Sequence, residues 1–269
     1  MRLAVCLHGY CGTVSTGDFT TSDVGFKHLQ ETVVSKCDSV DFYVHCWQPE
    51  FEKQIKAMYS PKSTLFENQI DFDKVCQENG IYQNYIDELF QRSRTMYKNA
   101  TASRILSFYY SRAASLKLAF NKDYDCILTT RFDISARGDS SVNQIKFDPR
   151  SDMDFLYTAE WNQKNVGYGD MWFYGSEQIM KEYSKIYQNV LSDFKPMSRY
   201  EKTLQTVWPD SNLFNVYDFS DPRQFTNEVD RQTKSSVLMK FPKWRITDSH
   251  LHHKWFCMNN GLYEKTRWI

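Results

Sequence analysis

The sequence predicts an α/β protein with a mixed central sheet flanked by helices, folded as a single compact domain over residues 1–269. Three observations predict it. Residues 3–7, 40–46 and 125–130 are short, nearly continuous apolar runs, as expected of strands buried on both faces. Segments of helical period separate them, as right-handed crossover units require. Each run stops abruptly at small, polar or charged residues, which places the chemistry along one edge of the sheet.

Taken in order, residues 3–7 form the first strand, followed by a loop of His8, Gly9, Tyr10, Cys11, Gly12 and Thr13. A loop passes into a helix within 20–36, with Ser22 or Asp23 as N-cap and Val24, Leu29 and Val33 turned inward. Residues 40–46 are the second strand, 50–59 a helix and 63–66 a third, short strand. Two longer helices follow over 82–97 and 103–120. In the second, Ile105, Tyr109, Ala113, Leu116 and Phe120 recur at helical spacing, so one face is buried and Arg104, Ser111 and Lys117 lie off it. Beyond the 125–130 strand the pattern becomes irregular: short strands at 155–158, 171–174 and 212–217, and one helix over 177–194. No repeat or linker divides the chain, so its two halves share one sheet.

Composition excludes several classes. Against 33 Lys and Arg stand 33 Asp and Glu, a formal charge of zero. A nonspecific nucleic-acid binder needs a basic surplus to displace counterions, so no nucleic-acid partner is expected, although a local basic pocket is compatible with neutrality. No run approaches the ~20 apolar residues of a membrane helix, and the apolar start is too short for a signal peptide. A cytoplasmic protein without a membrane span is expected. The seven cysteines (Cys6, Cys11, Cys37, Cys46, Cys76, Cys126 and Cys257) include no CxxC pair, and several lie in apolar runs. Reduced thiols are expected rather than a disulfide framework or a zinc ribbon.

Ligands of open α/β sheets bind beyond the carboxyl ends of the strands. The residues there are His8, Gly9 and Gly12, then His45 and Trp47, then Arg131 and Asp133. Glycine lets a backbone approach a phosphate, and arginine offers a forked donor to its oxygens, so a phosphorylated ligand is expected. Neither GxxxxGK[ST] nor GxGxxG follows the first strand, which argues against a kinase or a dinucleotide dehydrogenase.

The run Tyr124-Asp125-Cys126-Ile127-Leu128-Thr129-Thr130-Arg131-Phe132-Asp133 resembles the nucleotide-sugar glycosyltransferases of GT-A type. It is most like the small bacterial lipopolysaccharide and capsule transferases and their relatives in large algal viruses, in which such a strand replaces the usual DxD motif. Residues 3–9, 40–47 and 167–176 extend the likeness over roughly residues 1–195. The resemblance implies a GT-A-like, Rossmann-type fold, with residues 1–135 as the nucleotide-sugar-binding half and 136–269 as the acceptor-binding half. It implies transfer of a sugar from a UDP- or GDP-sugar to a hydroxyl of a growing glycan or glycoprotein. The product would be a viral or bacterial surface glycan, made in the host cytoplasm if the chain is viral.

That reaction makes demands that can be assigned to residues. The leaving diphosphate needs its charge met by a divalent metal, Mn²⁺ or Mg²⁺, or by cationic side chains. Asp133 matches the last acid of the family's DxD, a metal ligand, while Arg131 stands where the first acid would be. His250 or His253, from the late histidine cluster, would complete a metal site. In an inverting transfer Asp170 would be the general base, its pKa raised by desolvation beside Tyr168 and Trp172. In a retaining one it would hold donor or acceptor hydroxyls. Trp47, Trp161, Tyr168 and Trp172 could pack on sugar rings. Two alternatives stand beside this reading. One is a non-catalytic carbohydrate-binding protein. The other is a nucleotide-dependent transferase such as a sulfotransferase, which would need a cation where His8-Gly9-Tyr10-Cys11 has none.

Overall fold

A computed structural model describes residues 1–13, 16–79, 102–136, 138, 140–160, 168–194, 250, 253, 256–257 and 260–269. The helix expected over 82–97, the strand over 212–217, Trp161, Gly167 and His252 lie outside them. The described strands are β1 (Arg2–Gly9), β2 (Ser39–Cys46), β3 (Ser63–Phe66), β4 (Cys126–Arg131), β5 (Leu156–Thr158), β6 (Trp172–Gly175) and β7 (Thr266–Trp268). They form one mixed sheet in the order β3-β2-β1-β4-β6-β5-β7, so both halves of the chain contribute to it. β3, β2, β1 and β4 run parallel; β6 is antiparallel to both β4 and β5, and β7 is parallel to β5.

The described helices are α1 (Thr20–Thr32), α2 (Glu52–Tyr59), α3 (Phe72–Glu78), α4 (Ala102–Ala119), α5 (Glu177–Ser184) and α6 (Ile186–Phe194). Alternation along β1 sends Leu3, Val5 and Leu7 to one core, which they share with Leu29 of α1 and with Ile55 and Tyr59 of α2. Ala4 and Cys6 point the other way, into a core with α3, α4, α5 and α6. The chain winds outward through β1, β2 and β3 with its crossovers on the first face. It then returns past β3 to pair β4 with β1, and right-handedness puts that crossover, α4, on the opposite face. The strand order therefore reverses between β1 and β4, the kind of position at whose carboxyl ends open α/β sheets place their ligands. Among the described residues, no helix is long and apolar enough to cross a membrane.

Four expectations need correction. α1 starts after Phe19 with no side-chain cap, because the Ser22 hydroxyl is buried and donates to the Cys11 carbonyl instead. Its inward stripe runs through Ser22, Gly25 and Leu29, which leaves Val24 exposed, although Leu29 and Val33 are buried as expected. The helix expected over 177–194 is two helices that meet at Lys185. α4 buries Ile105, Tyr109, Ala113 and Leu116 as its period implies, but Ser111 and Arg112 are buried too. The cause is enclosure: α4 packs on β1, β2, β3 and β4 and also against α3, α5 and α6, so little of its surface faces water.

Gly25 lets α1 approach the end of β4. A Cβ there would stand 2.0 Å from the Phe132 carbonyl oxygen. Helix propensity alone would make Gly25→Ala stabilising by about 1 kcal/mol. The overlap with backbone reverses the sign, and a loss of about 1–3 kcal/mol is expected. A urea midpoint that fell would bear out the close packing, whereas one that rose would refute it.

Candidate functional site

The site is built on one row of residues. His45, His8 and Arg131 are direct neighbours in register across β2, β1 and β4, at the carboxyl ends of three parallel strands. Alternation puts them on the face of Ala4, Cys6, Tyr43 and Ile127, the face that α4 covers. α4 brings Ser111 and Arg112 down onto this row. Arg131 is clamped by Asp133, two residues on, with Nε and Nη2 donating to the two carboxylate oxygens at 2.8 and 2.7 Å. Both side chains remain partly exposed, at 24% and 15%.

Arg112 is the centre of the polar network, and it is fully buried. Its Nε donates to His8 Nε2 at 3.2 Å. Nη1 donates to His253 Nε2 at 2.8 Å and to the Tyr183 hydroxyl. Nη2 donates to the backbone carbonyl of Asp170. Phe108, Phe173 and Tyr183 turn ring faces to the guanidinium, with the Phe108 centroid 4.3 Å from its carbon. Among the described residues no carboxylate lies within ion-pair distance of it. Sequence reasoning missed this arginine. Its signal was a lone cation three residues after the buried Tyr109, between Ser111 and Ala113.

The two strand-end histidines differ in state. His45 is fully buried, with Nε2 donating to Glu67 at 2.9 Å and Nδ1 accepting from the Ser111 hydroxyl at 2.6 Å. Burial lowers its pKa more than Glu67 raises it. It ties β2, the segment after β3 and α4 together, and both ring nitrogens are taken. His8 is held far below the usual imidazole range by burial, then by Arg112, Arg131 and His45. Its Nδ1 has no hydrogen-bond partner among the described residues; a buried donor left unmade costs about 1–3 kcal/mol.

The glycine loop is occupied by its own fold. Gln48 Oε1 accepts from the Cys11 amide at 2.7 Å and the Gly12 amide at 3.0 Å, and its Nε2 donates to the Gly12 carbonyl at 2.8 Å. Those amides are therefore turned to Gln48, contrary to the expectation of a backbone phosphate cradle. A Cβ on Gly12 would meet the Asp18 carbonyl oxygen at 2.7 Å, so glycine there serves the loop's own packing. Gly9 has φ +102°, a left-handed turn that releases the chain from β1. The next residue, Tyr10, is 52% exposed and offers an open aromatic surface at this edge. Trp47 is core: it stacks on Tyr110 at 5.4 Å and meets Phe72 edge-on. Tyr168 and Trp172 are buried as well.

Asp170, half-buried before β6, reverses its expected titration. Burial pushes its carboxyl upward, but His250, Arg131 and Arg112 together outweigh it and hold the pKa below the ordinary carboxylate value. His250 is positioned by a reciprocal pair: its Nδ1 donates to the Tyr168 carbonyl at 2.6 Å, and the Tyr168 amide donates to the His250 carbonyl at 3.0 Å. His253 is fully buried and stacks on Tyr183 and Phe173. The structure thus gathers His8, Arg131, Asp133, Asp170, His250 and His253 around Arg112, while His45, Trp47 and Gly12 are absorbed in the interior and the loop.

A divalent metal does not fit the donors present. Both Asp133 oxygens face Arg131, and His253 Nε2 faces a second guanidinium. Among the described residues no three of His, Cys, Asp and Glu converge on one point. What the edge offers a ligand is Arg131, braced by one carboxylate.

The chain matches no family model, no curated protein and no solved structure. Its chemistry rests on the site alone.

Proposed function

We propose that the chain is a glycosyltransferase that moves a sugar from a nucleoside diphosphate donor to an acceptor hydroxyl of a glycan. The observation that carries this reading is the placement of Arg131, braced by Asp133, at the reversal between β1 and β4, where open α/β sheets hold phosphorylated ligands. A braced guanidinium presents its remaining N–H groups in a fixed fork, which suits phosphate oxygens and meets charge as it develops on a leaving diphosphate. Tyr10 gives the nucleotide base an exposed ring beside the same edge. Asp170, kept ionised by its cationic neighbours, serves as a hydrogen-bond acceptor that orients sugar or acceptor hydroxyls. A pKa lowered away from neutrality suits that role better than general-base work. The donor diphosphate relies on arginine rather than on a bound metal.

Titration calorimetry with UDP, GDP and their sugar conjugates, each with and without Mn²⁺, tests the reading. One nucleoside diphosphate is expected to bind with a Kd within about 1 μM–1 mM, whether or not Mn²⁺ is present. Silence towards every nucleotide, with heat only from free glycans, would make the chain a carbohydrate-binding protein instead.

A further inference from the structure

We propose that Arg112 is the positioning residue of this site: it holds His8 and His253 as neutral imidazoles protonated on Nδ1 and ties the Asp170 segment to them. A guanidinium has N–H donors and no acceptor, so any ring nitrogen that faces it within hydrogen-bond distance must offer a lone pair. Arg112 Nε faces His8 Nε2 at 3.2 Å, and Nη1 faces His253 Nε2 at 2.8 Å. Both Nε2 atoms are therefore bare, and the one proton of each neutral ring sits on Nδ1. His45, next to His8 in the row, has the opposite form, because its Nε2 faces the carboxylate of Glu67.

Protonating His8 or His253 would set an N–H against an N–H and place two cations together in a fully buried space. The charged and titratable groups near the guanidinium are His8 on β1, Tyr183 on α5, His253 and Asp170, and through His8 and Asp170 also Arg131 at the end of β4, with its partner Asp133, and His250. No carboxylate among the described residues makes an ion pair with Arg112 that a second proton could exploit. One arginine on α4 thus sets the protonation of two histidines from distant parts of the chain and fixes the backbone carbonyl of Asp170, whose carboxylate the transferase reading assigns to hydroxyl binding. That last role rests on the transferase reading; the tautomers do not.

The test is ring-nitrogen NMR of the whole chain with ¹⁵N-labelled histidine, from about pH 5 to 8. His8 and His253 are expected to show a protonated Nδ1 and a bare Nε2 throughout. Signals from either ring with Nε2 protonated, or a ring that becomes imidazolium in this range, would overturn the proposal. Arg112→Lys, which keeps a donor-only cation of shorter reach, is expected to retain the amide spectrum of the fold and at least one of the two Nδ1 tautomers. It should lower kcat by roughly 10²-fold through misplacement of Asp170 with the donor KM unchanged. An equal loss in kcat and apparent active fraction would reduce Arg112 to a packing residue and overturn the positioning role. Nδ1 tautomers in a chain that binds no nucleotide would defeat the transferase reading alone. Nucleotide binding with Nε2 tautomers would defeat the positioning role alone.

Discussion

Arg131→Met is expected to weaken binding of the nucleoside diphosphate by about 2–5 kcal/mol, roughly 30-fold at the lower end. Two effects add. The forked donor to the phosphate is lost, and Asp133, whose oxygens lie 2.8 and 2.7 Å from the guanidinium, loses that cation and keeps its negative charge beside the place the phosphate must occupy. The fold itself should lose little, because the pair is partly exposed and such pairs contribute about 0–1 kcal/mol to stability. Asp133→Ala acts differently: the cation remains but loses its brace, so transfer is expected to be abolished while nucleotide affinity falls less. The double variant separates the two effects, since removing both partners also removes the repulsion. Calorimetry on the two single variants and the double should therefore show the double binding more tightly than Arg131→Met alone. Wild-type affinity in Arg131→Met would mean that the nucleotide sits elsewhere, and full transfer by Asp133→Ala would remove that residue from the mechanism.

The elements that position Arg131 were legible because buried parallel strands are written as apolar runs with abrupt ends, so 3–7, 40–46 and 125–130 declared both the sheet and the edge at which its parallel strands end. What escaped the sequence was whatever depends on contacts between distant elements. The phase of α1 is set by Gly25 meeting the Phe132 backbone, a contact to which hydrophobic periodicity is blind. Asp170 showed its aromatic neighbours Tyr168 and Trp172, which argue for a raised pKa. The groups that reverse it are Arg112 on α4, Arg131 at the end of β4 and His250, far apart in the sequence. Nothing in the sequence marks Gln48, yet it takes the Cys11 and Gly12 amides of the loop. His250 and His253 each commit one ring nitrogen, to a carbonyl and to a guanidinium, rather than jointly facing a metal.

Arg112 is the furthest of these from sequence intuition, because a cation on a helix ordinarily marks the solvent face, and its removal is expected to have the largest effect on stability. Arg112→Met should lower the unfolding free energy by about 3–5 kcal/mol, since several buried acceptors are left at about 1–3 kcal/mol each. For a chain of this size at about 2–4 °C per kcal/mol, that is a fall in Tm of about 6–20 °C. The loss does not come from the volume of the side chain, which methionine nearly fills among Phe108, Phe173 and Tyr183. It comes from the groups left behind: His8 Nε2, His253 Nε2, the Tyr183 hydroxyl and the Asp170 carbonyl would all lose the same donor. Buried polar atoms cost most when half of a network is taken away and least when all of it is. The combination Arg112→Met with His253→Phe is therefore expected to be less destabilised than the sum of its single changes. Phenylalanine keeps the stack on Tyr183 and removes one of the stranded acceptors. Thermal unfolding of the two single variants and the double measures this coupling directly. Strict additivity would mean that the guanidinium and the imidazole stabilise the fold independently, and the network would then be only an adjacency.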